Sequence, residues 1–267
     1  MNITAIILAA AVIGITGLLI GLLLGIAGKK FAVEVDEKEI EVRALLPGNN
    51  CGGCGYAGCD AMAQAIANGE APANGCPVAS AEISEQIAKV MGADTKDTIR
   101  EVAFVKCNGT CDKASVKYEY YGIHDCREVA IVPGSGDKAC SHGCMGYGSC
   151  VAVCPFDAIH IVNGVALVDR EKCKACKKCI AACPRHLIEL VPYDAQYKVA
   201  CNSTEKGKDV KAACDTGCIG CKLCEKQCSS DAVHVENNLA SIDYTKCVNC
   251  GACAEKCPSK IILKAEK

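Results

Sequence analysis

Thiols carry almost all the chemistry this chain could perform. Of 267 residues 25 are cysteine and five are histidine. Cys173, Cys176, Cys179 and Cys183, followed by Pro184, form a C-x2-C-x2-C-x3-C-P run, as do Cys247, Cys250, Cys253 and Cys257 before Pro258. That spacing wraps a [4Fe–4S] cluster, the fourth cysteine serving the neighbouring cluster of a two-cluster ferredoxin. Cys218, Cys221, Cys224 and Cys228 keep the spacing but precede Ser229. A further run is irregular: Cys144, Cys150 and Cys154-Pro155 are in place, Tyr147 occupies the second cysteine position, and an extra Cys140 lies four residues ahead of Cys144. Nearer the N-terminus, Cys51, Cys54, Cys59 and Cys76 stand at C-x2-C-x4-C-x16-C on a glycine-rich loop. Glycine lets such a loop turn tightly around a compact cluster. Four thiolates also suit structural zinc, but the x2/x4 spacing favours iron and sulfide.

The elements that must position these thiols repeat. A shift of 74 residues lays Cys140, Cys144, Cys150 and Cys154 on Cys214, Cys218, Cys224 and Cys228, and lays Cys173 through Cys183 on Cys247 through Cys257. The intervening "DAIHIVNGVALVD" matches "DAVHVENNLASID", so the chain holds two tandem ferredoxin units. Within each, strands alternate around Asn163-Gly164 or Asn237-Asn238, both hairpin signals. Crossed ligation then predicts Cys173, Cys176 and Cys179 with Cys154; Cys218, Cys221 and Cys224 with Cys257; and Cys247, Cys250 and Cys253 with Cys228. The opening site keeps Cys144, Cys150 and Cys183, and Cys140 is expected to swing in as fourth ligand in place of Tyr147. Cys107, Cys111, Cys126, Cys201 and Cys214 are left over. "VKCNGTC" and "VACNSTE" are alike around Cys107 and Cys201. Cys107, Cys126, Cys201 and Cys214 either complete a sixth cluster, with Cys111 spare, or are buried as small hydrophobes.

Residues 3–28 carry no charge and are long enough to span a bilayer with some tilt. Lys29 and Lys30 follow at once; by the positive-inside rule the bulk of the chain is expected on the cytoplasmic side of a bacterial inner membrane, single-pass. That placement agrees with reduced thiols. Gly14, Gly17, Gly21, Gly25 and Gly28 share one helix face, as in helices that dock on other membrane subunits. Residues 31–100 hold eleven acids against five bases. Arg170, Lys172, Lys174, Lys177, Lys178 and Arg185 make a basic neighbourhood around the third run, either to steer an acidic ferredoxin or to balance cluster charge. No block resembles a nucleic-acid-binding arm, and there is no dinucleotide fingerprint, phosphate loop or nucleophile–base pair. The histidines are scattered.

The expected fold is α+β: a transmembrane anchor at 1–28, a juxtamembrane linker at 29–46, a small helical [4Fe–4S] domain at 47–94, a mixed segment at 95–135, ferredoxin-like units at 136–192 and 214–267, and a connector at 193–213. "LPGNNCGGCGYAGC" with Cys76-Pro77, behind one membrane helix and ahead of ferredoxin units, resembles the RnfB subunits of Rnf complexes, the ion-translocating ferredoxin:NAD oxidoreductases of bacteria and some archaea. The resemblance covers essentially the whole chain, although shorter members carry a single ferredoxin pair. It departs at Tyr147 and Ser229. A related loop domain occurs in a corrinoid iron–sulfur protein, which the membrane helix disfavours. The resemblance implies a translocase subunit that takes electrons from reduced soluble ferredoxin through five or six [4Fe–4S] clusters. Flavin-bearing and NAD-binding partner subunits would receive them while the complex moves Na⁺ or H⁺, with no bond-making residue on this chain. The alternatives are a wiring subunit of another membrane hydrogenase or dehydrogenase, and a zinc-binding structural protein.

Overall fold

The computed structural model describes residues 3–30, 36–93 and 99–265. Helix α1, Ile3–Lys30, is continuous and apolar. Its candidate membrane span has a mean hydropathy of 2.3 and none of its described side chains is buried. A Cβ placed on any of its five glycines meets nothing within 4 Å, so the small-residue face is open to another helix.

The next three helices form a compact domain. Helix α2, Glu37–Leu45, falls in the segment read as linker and starts at Asp36, whose carboxylate accepts from the Lys38 amide. It lays Val42 and Leu46 against Met62, Ala63 and Ile66 of α3, Cys59–Ala67, and Ile87 of α4, Ala81–Met91. Ser80 caps α4, and Gly92 ends it in a left-handed conformation, the usual helix stop. The sequence pattern suggests Asp60 as the cap of α3. The Asn50 side chain instead accepts the Cys59 amide at 2.7 Å, and Asp60 pairs with Arg43 at 2.5 Å.

The segment read as mixed supplies a strand to the first ferredoxin unit. Strand β1, Glu101–Val105, pairs antiparallel with β4, Ile188–Pro192, from Glu101↔Pro192 to Val105↔Ile188. Between them in the chain β2, Ile159–Val162, and β3, Val165–Val168, form the expected hairpin. Asn163 and Gly164 both have positive φ, as the tight turn requires. The second unit repeats the plan. Strand β5, Tyr197–Val199, pairs with β8, Ile262–Lys264, and β6, Val233–Glu236, with β7, Leu239–Ile242, around Asn237 and Asn238. Each unit therefore borrows a strand from the segment that precedes its first cysteine run. Even a surface ion pair recurs: Lys172–Asp157 at 3.0 Å and Lys246–Asp231 at 3.4 Å.

Large side chains are few. In the first unit Cys144, Cys150, Cys173 and Cys179 belong to the same core cluster as Val102, Ile159, Leu187, Ile188 and Val191. In the second, Cys201, Cys218, Cys224 and Cys253 accompany Val199, Val233, Val235, Ile261 and Ile262. The thiols are core residues, and what they enclose decides whether that core is full.

Candidate iron–sulfur centres

Three of the crossed sets expected from the spacing line common cavities or stand at their walls. Cys154, Cys173, Cys176 and Cys179 line one. Around it the Ala103 amide donates to the Cys173 Sγ and the Ala158 amide to the Cys154 Sγ, each at 3.4 Å. Cys218, Cys221, Cys224 and Cys257 line another. Cys144, Cys150 and Cys183 line a third. The last crossed set is less enclosed: Cys247 and Cys250 neighbour Cys253, while Cys228 accepts from the Ala232 amide at 3.3 Å, the repeat of the Cys154 bond. Cys250 is exposed.

Short helices bring these thiols inward: α6, Ser149–Ala152, and α7, Lys178–Ala182, in the first unit, with α8, Gly207–Ala213, α9, Leu223–Gln227, and α10, Ala252–Glu255, around the second. Four of them begin at a left-handed residue, Gly148, Lys177, Lys222 or Gly251. The sharp turn there reverses the chain between one cysteine of a run and the next.

The fourth residue at the opening cavity differs from expectation. Cys126 lines it, and Cys140 does not. Cys126 is the first residue of α5, Cys126–Ile131, and its amide donates to the Ser149 Oγ at 2.7 Å, pinning it beside Cys150. Tyr147 turns away to pack edge-on to Tyr120, with His124 at 5.1 Å. Burial pushes the Tyr147 hydroxyl up to about 12, helped by Asp137, and Tyr147 is not among the residues lining the cavity. Cys126 is 21 residues upstream of Tyr147, and no motif spacing points to it. Its only sequence signal is an unassigned thiol in an insertion ahead of the irregular run.

Cys140 stands elsewhere, lining a cavity with Cys107, Cys201 and Cys214. The second unit's Cys214 and Cys201 are thus brought to Cys107, as a sixth set required, but with Cys140 in place of Cys126. Cys111 is exposed and outside both cavities.

The N-terminal set is compact as well. Cys54, Cys59 and Cys76 pack into the α2–α4 core; burial raises the Cys76 thiol, and Cys54 and Cys51 add to that. This domain meets the first ferredoxin unit at a tight point, where a Cβ on Gly53 would come within 2.9 Å of the Cys176 Cα. Gly53→Ala therefore overpacks the contact between two cysteine loops, at a cost of about 1–3 kcal/mol. The expected result is unchanged iron content with slower electron exchange between the two sites, read by freeze-quench spectroscopy after a reductant pulse.

Thiols in these cavities are hard to ionise on their own. Burial pushes Cys150 up to about 12, with Cys144, Cys126 and Cys183 adding to it, and pushes Cys179 up to about 12 and Cys224 to about 11. A bound cationic centre reverses that penalty, because ligation and deprotonation are coupled. Single zinc ions fit poorly. Zinc holds four sulfurs about 2.3 Å from one point, and among the described residues no three Cys, His, Asp or Glu side chains could hold a single metal ion. The thiols surround spaces instead, as a four-iron cluster requires. The described histidines do not join them: His160, for instance, lies beside Asp157 on a half-exposed strand.

Comparison with known proteins agrees. The family described as "Putative Fe-S cluster" matches residues 46–78, a 4Fe-4S binding domain matches 166–189, and a 4Fe-4S dicluster domain matches 217–262. Over 243 residues the chain is 47% identical to the B subunit of the Na⁺-translocating ferredoxin:NAD⁺ oxidoreductase complex of Acetobacterium woodii, covering 91% of this chain and 73% of that one. The chain belongs to the B-subunit family of Rnf ion-translocating oxidoreductase complexes. The B subunit of an ion-translocating oxidoreductase complex from Methanosarcina acetivorans is 41% identical over 94% of this chain and 96% of its own. The proton-translocating counterpart of Clostridium ljungdahlii is 42% identical over 89% and 84%. As an Rnf B subunit the chain is an iron–sulfur electron-transfer component of such a complex. The domain matches leave Cys107, Cys111, Cys126, Cys140, Cys144, Cys150, Cys154, Cys201 and Cys214 outside their bounds.

Proposed function

We propose that this subunit oxidises reduced soluble ferredoxin on the cytoplasmic face of the inner membrane. Its electrons pass through clusters in its two ferredoxin units and N-terminal domain to flavin- and NAD-bearing partner subunits, and the complex couples the transfer to Na⁺ or H⁺ movement. The observation that carries this is spatial order. The N-terminal cysteine loop, next in sequence to the membrane helix, abuts the Cys176 loop through Gly53, and Cys144 of the first unit lines a cavity with Cys201 and Cys214 of the second. Bound clusters supply one-electron steps whose potentials depend on charge, hydrogen bonding and exposure. The protein's part is to hold them in sequence, donate backbone N–H groups to their sulfurs and keep most of them from solvent.

In this reading the ligand sets are Cys51, Cys54, Cys59 and Cys76; Cys126, Cys144, Cys150 and Cys183; Cys154, Cys173, Cys176 and Cys179; Cys218, Cys221, Cys224 and Cys257; and Cys228, Cys247, Cys250 and Cys253. The open glycine face of α1 suits docking on multi-span partners.

Of the six basic residues noted around the third run, two are structural. Arg185 donates to the backbone oxygens of Cys140 at 3.0 Å and Gly143 at 2.5 Å, and Arg170 to that of Tyr193. Lys174, Lys177 and Lys178 are exposed at the Cys173 cavity. Mixing the complex in membranes with reduced ferredoxin should bleach the cluster absorption and drive NAD⁺ reduction. Replacing the three lysines by alanine should slow that bleaching about tenfold at low ionic strength and little at high salt, since steering falls steeply with screening. An unchanged rate would remove ferredoxin from this patch and assign the lysines to the acidic N-terminal domain that faces the same loop. No reduction by ferredoxin under any salt condition would sink the reading itself.

A further inference from the structure

The Cys144 site and its repeat partner, the Cys218 site, differ in the charge built around them. Arg185 lines the cavity of Cys126, Cys144, Cys150 and Cys183 and is the only charged residue among the described ones there. Its guanidinium donates to the Cys140 and Gly143 carbonyls at 3.0 and 2.5 Å, and to that of Ser135. Lys138, only 5% exposed, lines the adjoining cavity together with Cys144. Its ammonium donates to the Gly109 and Gly164 carbonyls at 3.0 and 2.6 Å. Among the described residues neither cation forms an ion pair with a carboxylate. Burial pulls the Arg185 guanidinium down, and the groups that hold it up are the sulfurs of Cys140, Cys144, Cys107 and Cys126.

The second unit supplies the comparison. The 74-residue shift lays Arg185 on Ser259 and Lys138 on Ala212. Ser259 lines the Cys218 cavity as Arg185 lines that of Cys144, and Lys211, beside Ala212, is exposed. One cation does line the second cavity: Lys222, where the first unit has Gly148. Its side chain is mostly exposed and stands 3.9 Å from the Glu225 carboxylate, so water and that carboxylate screen its field. Exposure of the thiols differs in the opposite sense. Cys126, Cys144 and Cys150 are buried, whereas Cys221 of the second site is exposed. Reduction adds one negative charge to a centre already bearing four thiolates, and burial opposes added charge. By burial alone the Cys144 site would therefore be the harder of the two to reduce. Fixed cations close by act the other way. A buried cation held only by carbonyls is in turn costly unless it faces compensating negative charge.

We propose that Lys138 and Arg185 raise the reduction potential of the Cys144 site above that of the Cys218 site, so that electrons settle in the first ferredoxin unit. The inference rests on the iron–sulfur reading above and deepens it. Both residues act through space as positioning charges and ligate nothing. The step they bias is a one-electron exchange: the second unit loses one electron, the Cys144 site gains it, and no bond forms or breaks. The first unit is also the one that abuts the N-terminal loop through Gly53. The bias therefore points towards the domain that follows the membrane helix. Two repeats of one fold acquire a direction from two side chains.

The test is a redox titration of the full chain, purified anaerobically in detergent and followed by electron paramagnetic resonance. Signals altered in Cys150→Ala and in Cys224→Ala assign the Cys144 and Cys218 sites. Arg185→Gln and Lys138→Met should each lower the midpoint of the Cys144 site with iron and sulfide unchanged. For Arg185→Gln the expected shift is about tenfold in the one-electron equilibrium, or about 59 mV. Arg185→Lys, which keeps the charge, should hold the potential. Ser259→Arg should raise the midpoint of the Cys218 site by a similar factor. If Arg185→Gln does not load iron, Lys138→Met and Ser259→Arg carry the test. Midpoints unmoved in those two variants at full iron content overturn the bias and leave the cations as struts for the backbone. A Cys144 midpoint below that of the Cys218 site in the unaltered chain overturns it as well. An unaltered chain without iron or sulfide overturns the electron-transfer reading itself.

Discussion

Cys126→Ala is expected to cost the chain one whole centre, about four iron and four sulfide, and to cut ferredoxin-driven reduction of the N-terminal site to near background. The reason is position. Cys126 lines the cavity of Cys144, Cys150 and Cys183, and Cys144 also lines the cavity reached by Cys201 and Cys214 of the second unit. Tyr147, the residue at the regular second-cysteine position, does not substitute, because its ring packs against Tyr120 and His124 and it is not among the residues lining the cavity. A milder outcome is informative: loss of about one iron with a three-iron resonance signal would mean that the remaining thiols retain a truncated cluster. The Cys126 assignment fails if iron is unchanged in Cys126→Ala while Cys140→Ala empties the site and alters the Cys144 signals. That result would restore the ligand exchange expected from the sequence.

The exchange of Cys126 and Cys140 marks where sequence reading stops. Spacing within a run is a local property, so the regular runs and the Asn163-Gly164 hairpin were legible without coordinates, and three of the crossed sets line common cavities. Ligands brought from outside a run depend on tertiary placement. Cys140 is close in sequence to Cys144, yet the turn through Gly143 and the Arg185 bonds to the Cys140 and Gly143 carbonyls direct it towards Cys107. Cys126 is distant in sequence, yet α5 folds back so that its amide reaches Ser149. The likeness of the stretches around Cys107 and Cys201 did carry information, since both follow a borrowed strand. The strands themselves are not legible, because β1 and β5 are only five and three residues long and so short a stretch has too little periodicity to stand out. Helix α2 escapes for a related reason: its charged sequence buries only one narrow apolar edge.

Removing iron should unfold the two ferredoxin units of this chain outright rather than loosen them. Chelation under mild oxidation, followed by circular dichroism and amide exchange, should show loss of nearly all protected structure in the ferredoxin units. There is no Trp and there are only three Phe in the whole chain, and the two ferredoxin cores are completed by cysteines. Vacated cavities among so few large side chains leave the walls without partner atoms, the situation in which deletion of single core side chains already costs about 2–5 kcal/mol. Here each unit would lose two clusters at once, against a total stability of about 5–15 kcal/mol for a typical domain. The α2–α4 domain should persist longest, since Met62, Ile66 and Ile87 form a core of their own beside a single cysteine set. Retention of native exchange protection in both ferredoxin units after complete iron removal would show that side-chain packing alone holds them, and would detach the fold from the clusters. Recovery of protection on adding back ferrous iron and sulfide, but not zinc, would tie the two together: metal binding would then be the folding energy that this composition otherwise lacks.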